Sequence, residues 1–214
     1  MNLHLGKTVY IYVCGIMTFP GESGNWTGKA VTWTQTRPEL PAEKIEYFSP
    51  GLFSRSIGQE ARAEKLVKTL NEYLSRGRRI ILVAHSNGCD VALDALQQMG
   101  WPRIEALHLI SGACEADFDQ NGLNLALALE RIGRVVVYVA KRDIALYLAA
   151  SPLGRCFGYG DLGRTGPVNQ DFPVETVVEP EFGHSDWFHG DHFEVTMRML
   201  TGGDPQLTPK EGHT

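Results

Sequence analysis

Apolar residues follow two rhythms along this chain. Short unbroken runs rich in β-branched and aromatic side chains predict buried strands over residues 9–15, 44–49, 80–83, 104–110, 134–140 and 174–178. Between them, apolar positions recur every three or four residues and predict helices over 25–34, 58–75, 91–99, 123–132, 144–150 and 191–200. The second helix carries its stripe at Ala63, Leu66, Val67, Leu70 and Leu74, and Asn25 is placed to cap the first. Strands that alternate with helices, several of them apolar without interruption, imply an α/β fold. Its central sheet is mostly parallel and covered by helices on both faces, giving three layers. No break in composition divides the chain, so residues 1–200 are expected to form one domain and 201–214 a flexible tail. One stretch has no period. Residues 151–172 hold Gly154, Gly158, Gly160, Gly163 and Gly166 and read as a long loop at the sheet edge where ligands collect in such folds.

Composition narrows the field. The 214 residues are 43% hydrophobic and 21% charged, with a formal net charge of −5. The one dense basic spot, Arg76, Arg78 and Arg79, lies where a helix hands over to a strand and is explained by the helix dipole. Nucleic acid is therefore not an expected partner. No run approaches the ~20 apolar residues of a membrane span, and residues 1–7 show no secretory leader, so a cytoplasmic location is expected. Cys14, Cys89, Cys114 and Cys156 show no Cys-x-x-Cys spacing, which predicts reduced thiols and no metal site; no cofactor is expected either.

The chemistry gathers around Ser86. The run from Ile80 to Ala84 ends in Ala84-His85-Ser86-Asn87-Gly88 and passes into a helical pattern. Strand, sharp turn with Ser at its tip, then helix is the layout of a nucleophile elbow, whose neighbours must be small because strand and helix cross closely. Ser86 as a simple helix N-cap is the alternative. A hydroxyl becomes a nucleophile only when a base takes its proton and a third group orients the base. Asp143, after the fifth strand, is the first candidate acid, with Asp117 and Asp119 as competitors; Asp143 also precedes a helix and could be an N-cap. For the base, His184 lies in the loop after the last strand, with His189 and His192 behind it. His85 is too close to Ser86 in the backbone to serve and is expected to pack near the elbow, and His108 reads as a core residue. An oxyanion hole would draw on the N–H groups of Asn87 and Ile16, with Met17 in reserve. Trp26 and Trp33, with Met17, could line an apolar substrate pocket; core packing explains the two tryptophans equally well.

Taken together, these residues resemble the α/β-hydrolase superfamily, in particular small bacterial serine-esterase-like hydrolases first catalogued as a domain of unknown function. The similar pieces are Ala84-His85-Ser86-Asn87-Gly88, Cys114-Glu115-Ala116-Asp117, Asp143-Ile144-Ala145-Leu146 with Arg155 and Gly160, and His184-Ser185-Asp186. Cys14-Gly15 stands where His-Gly is common in that group, and Ala84 replaces the first elbow Gly. The resemblance implies Ser86 as nucleophile, Asp143 as acid and His184 as base. It implies a serine hydrolase, first of all a carboxylesterase, acting on small or surface-bound esters without metal or cofactor. Acyl transfer or thioester cleavage on the same triad, or a non-catalytic binding module, are the alternatives. No segment is long enough for a cap domain, so loops alone are expected to bound the site.

Overall fold

The structure is a computed structural model that describes residues 8–15, 25–36, 41–46 and 58–202. Six strands form a single sheet: β1 (Thr8–Val13), β2 (Ala42–Ile45), β3 (Arg79–His85), β4 (Ala106–Ile110), β5 (Val135–Ala140) and β6 (Glu175–Glu179). They lie in the order β2-β1-β3-β4-β5-β6, every pairing parallel. The helices are α1 (Trp26–Gln35), α2 (Gln59–Ser75), α3 (Asn87–Gln98), α4 (Leu123–Ala128), α5 (Ile144–Ala149), α6 (Pro152–Cys156), α7 (Leu162–Thr165) and α8 (Gly190–Leu200). The expected second strand begins two residues earlier and ends at Ile45; its remaining expected residues, 47–49, lie outside the described ones. Most of the 201–214 tail lies outside them as well.

Strand geometry sorts the side chains. Successive residues point to opposite faces, so a strand buried on both sides feeds two cores. Ile11, Val13, Leu82, Leu107 and Val137 join α2, α3 and α4 in one core. Tyr10, Tyr12, Val83, Val136 and Tyr138 join α1 and α8 in the other. The three-layer arrangement follows, and no cap domain stands over the sheet among the described residues. No described helix is long and apolar enough to cross a membrane.

The strand order also fixes where a site belongs. From β1 the chain moves outward to β2, then returns to the other side of β1 to form β3. Between β1 and β3 the winding direction reverses, and a crevice opens beyond their C-terminal ends. Ser86 follows β3 and Gly15 lies just past β1, both at this reversal.

The glycine-rich stretch 151–172 is not the unstructured loop expected from its lack of period. It folds into α6 and α7, helices of 5 and 4 residues that are too short to display a helical stripe. Backbone bonds Gly160 N–Ala113 O (2.8 Å), Gly163 N–Gly112 O (2.9 Å) and Val168 N–Ala116 O (2.9 Å) bind it to the segment after β4. The stretch is thus an added layer on the sheet's C-terminal edge.

Candidate active site

Ser86 sits at a backbone conformation open to few residues with a side chain, φ 57° and ψ −129°, between β3 and α3. Such strain persists only where the surroundings over-determine it, and it costs on the order of 1–3 kcal/mol. Three backbone bonds hold the turn: Ser86 N to Ile110 O (3.0 Å), and Ser86 O to both Cys89 N and Ala113 N (3.1 Å each). Ser86 makes no side-chain capping bond to α3, so the simple N-cap reading fails. The end of β1 presses on the turn. A Cβ on Gly88 would lie 2.8 Å from Val13 O, and one on Gly15 would lie 2.7 Å from Ser86 Cβ. Glycine is required at both sides of this crossing, which accounts for the small residues of the elbow.

Asp143 follows β5 and is buried, and its two carboxylate oxygens have separate tasks. Oδ1 accepts from Leu146 N at 2.8 Å and caps α5, while Oδ2 accepts from His184 Nδ1 at 2.7 Å. Asp143 is thus a cap of α5, and the same carboxylate holds the His184 ring. Because a carboxylate only accepts, Nδ1 of His184 is the donor in this bond. Asp117 is elsewhere. Its carboxylate organises its own exposed loop, taking Asp119 N, Gln120 N and the side-chain amides of Gln120 and Asn169. The Asn169 amide bond leads these contacts in holding its pKa below the ordinary carboxylate value.

His184 is positioned from its backbone as well. His85 Nε2 lies 3.0 Å from His184 O, and a carbonyl only accepts, so His85 donates from Nε2. Its ring sits edge-on to Trp26 and Phe188. Burial, reinforced by the neighbouring His184, pushes its pKa down to about 3, so His85 is a neutral donor. Sequence reasoning placed His85 near the elbow but missed this contact, which joins residues 99 apart. His108 is the core residue expected, its Nδ1 3.1 Å from the Tyr138 hydroxyl. His189 and His192 are exposed; His192 lies on α8 against Phe182. The structure thus joins Asp143 to His184, and His184 through His85 to the elbow. Ser86 Oγ makes no hydrogen bond among the described residues.

Asn87 is the first residue of α3, so its N–H has no intrahelical acceptor and faces the positive end of the helix dipole. Ile16 and Met17, the other expected oxyanion and substrate residues, lie outside the described residues. Trp26 and Trp33 both pack on aromatic side chains of the C-terminal part of the chain. Trp26 stacks on Phe188 with ring centroids 4.1 Å apart, and Trp33 meets Phe193 of α8 edge-on. No group of His, Cys, Asp and Glu among the described residues could hold a metal ion.

Comparison with known proteins places this geometry. Several solved structures share the fold across nearly the whole chain. One represents the metagenome-derived lipolytic enzymes LipS and LipT (11% identity, 92% of this chain and 93% of that one, TM-score 0.57). Another is the RedJ thioesterase of Streptomyces coelicolor (14% identity, 92% and 86%, TM-score 0.51). A third is the phospholipase PlaB of Legionella pneumophila (12% identity, 90% of this chain but 56% of that one, TM-score 0.55). At these identities the likeness is one of fold. No curated protein matches the chain. The family of alpha/beta hydrolases of unknown function known as DUF900 matches residues 56–166, just over half of the chain and including both Ser86 and Asp143, and the chain belongs to that family.

Proposed function

We propose that the protein is a serine hydrolase, in the first instance a carboxylesterase, with Ser86 as nucleophile, His184 as base and Asp143 as the group that orients it. The observation that carries this reading is the 2.7 Å contact of His184 Nδ1 with the buried Asp143 carboxylate, at the sheet edge where Ser86 stands strained. His184 Nε2 takes the Ser86 proton as Oγ attacks the ester carbonyl, and the Asn87 N–H meets the oxyanion. The imidazolium returns that proton to the departing alcohol, leaving an acyl group on Ser86. Water, deprotonated by His184, then attacks the acyl carbonyl, releases the acid and restores the hydroxyl. Ile16 is the proposed second oxyanion donor.

A fluorophosphonate probe and p-nitrophenyl butyrate turnover test the proposal together. The wild type is expected to be labelled at Ser86 and to hydrolyse the ester, with both lost in Ser86→Ala. Turnover that survives in Ser86→Ala overturns it, and an unlabelled, inactive wild type points to a binding module. Adding competing alcohols separates transfer of the acyl group from hydrolysis.

A further inference from the structure

Helices α5 and α6 present an apolar surface that nothing among the described residues covers. Ile144, Tyr147, Leu148 and Leu153 are 72, 61, 60 and 69% exposed, far beyond what a solvated helix face needs. Only Leu146 and Ala149 of α5 turn inward, against Ala113 and Tyr159. Exposed large apolar residues are ordinary when scattered; three at i, i+3 and i+4 of one helix, with a fourth on the next, mark an interaction site.

The exposed charges carried by the segment itself are of one sign. Between residues 141 and 166 the basic residues are Lys141, Arg142, Arg155 and Arg164, and the acidic ones are Asp143 and Asp161. Both carboxylates are buried, so every exposed charge in the segment is positive, on a chain whose net charge is −5. Arg142 pairs with Glu181 at 2.6 Å. Lys141, Arg155 and Arg164 have no carboxylate partner among the described residues. Lys141 Nζ reaches Arg164 O (3.1 Å), Arg155 Nε reaches Ala150 O (3.1 Å), and the Arg164 guanidinium lies 5.0 Å above the Tyr147 ring. Beside α5, Lys141, Arg142, Ile144, Tyr147 and Arg164 line an open cleft of about 310 Å³ that Asp143 borders.

We infer that the α5–α6 face docks on an anionic lipid surface, its apolar side chains entering the headgroup boundary and its cations meeting lipid phosphates. Apolar side chains ringed by Lys and Arg are what binds such a surface. A second copy of the chain fits less well. Two-fold pairing through this face brings Lys141, Arg155 and Arg164 together with their own copies, and of the segment's basic residues only Arg142 has a carboxylate beside it, Glu181. An acidic protein partner would meet the cations but leave Ile144, Leu148 and Leu153 to find apolar partners of their own.

Sedimentation of the full-length protein with vesicles tests the inference without turnover, so it stands or falls separately from the hydrolase reading. The protein is expected to pellet with phosphatidylcholine–phosphatidylglycerol vesicles, far less with phosphatidylcholine alone, and progressively less as salt rises. The double variant Leu148→Ser/Leu153→Ser should weaken vesicle binding by about tenfold or more. Lys141→Gln and Arg164→Gln should each weaken it by about fivefold on the anionic vesicles. Leu148 and Leu153 are exposed, so thermal unfolding of the double variant should match wild type, and unfolding of the Lys141 and Arg164 variants is measured beside their binding; Tyr147→Ser serves as an independent apolar variant if the double variant is unstable. Equal binding to both vesicle types, or binding that ignores these substitutions, overturns the inference. A concentration-dependent dimer that Leu148→Ser dissociates also overturns it, assigning the face to a second copy.

Discussion

Asp143→Asn separates two functions that one carboxylate performs. Two N–H donors converge on Asp143, Leu146 N on Oδ1 at 2.8 Å and His184 Nδ1 on Oδ2 at 2.7 Å. Asparagine offers one acceptor oxygen and one amide donor, so it can satisfy only one of them. The backbone N–H of Leu146 cannot change its character, whereas an imidazole can move its proton from Nδ1 to Nε2. The introduced asparagine is therefore expected to keep capping α5, Asn being as good a cap as Asp, and to donate its amide N–H to Nδ1 of His184. The proton then sits on Nε2, where the proposed base needs a lone pair. In the serine-protease template, the same change of tautomer lowers kcat by ~10⁴, or about 5.4 kcal/mol of transition-state stabilisation. Asp143→Ala should lose comparable activity and the cap too, which is worth ~1 kcal/mol of stability. Steady-state turnover of p-nitrophenyl butyrate and thermal unfolding of both variants measure the two effects. If Asp143→Asn stays within tenfold of wild-type kcat, or loses as much stability as Asp143→Ala, the division of labour between the two oxygens is wrong.

Two further outcomes follow from contacts described above. Gly88→Ala places a methyl against Val13 O and Cys14 O, so β1 and α3 must separate; the expected cost is about 1–3 kcal/mol with loss of turnover, read by urea unfolding and activity, and a variant as stable and active as wild type refutes the close crossing. His85 and His108 refuse protons until about pH 3 when folded but accept them near 6.5 when unfolded. The unfolded state binds more protons between those values, so each histidine's contribution is intact above about pH 6.5 and is eroded by about 1.4 kcal/mol per pH unit below it; replacing His108 with an apolar residue should flatten the acid limb of a stability–pH curve, and an unchanged slope would count against a neutral buried His108.

The sheet was legible because its strands are apolar on both faces, so β1, β3 and β5 stand out as runs such as Val135-Val136-Val137-Tyr138-Val139. The elbow was legible because its geometry demands small residues at fixed places around Ser86. Other features left weaker traces. α6 and α7 are too short for a period to emerge, and only their bonds to the segment after β4 reveal them. Asp143 is legible as a cap because it stands just before a helical run, whereas the contact of its second oxygen with His184 arises only from tertiary approach. Trp26 and Trp33 show helical spacing in the sequence, but spacing cannot tell a protein partner from a ligand. The partners are Phe188 and Phe193, more than 150 residues away in the chain. The His85–His184 contact depends on tertiary approach in the same way.

The order of the strands also distributes resilience across the site. Ser86 stands behind β3, which is hydrogen-bonded on both sides, by β1 and β4. His184 stands behind β6, an edge strand bonded to β5 alone. A partial opening that detaches β6 and α8 carries His184 away and leaves the turn at Ser86 intact within its three backbone bonds. The proposed triad is thus held by a smaller cooperative unit than the fold, and His184 can leave it while most of the sheet is still native.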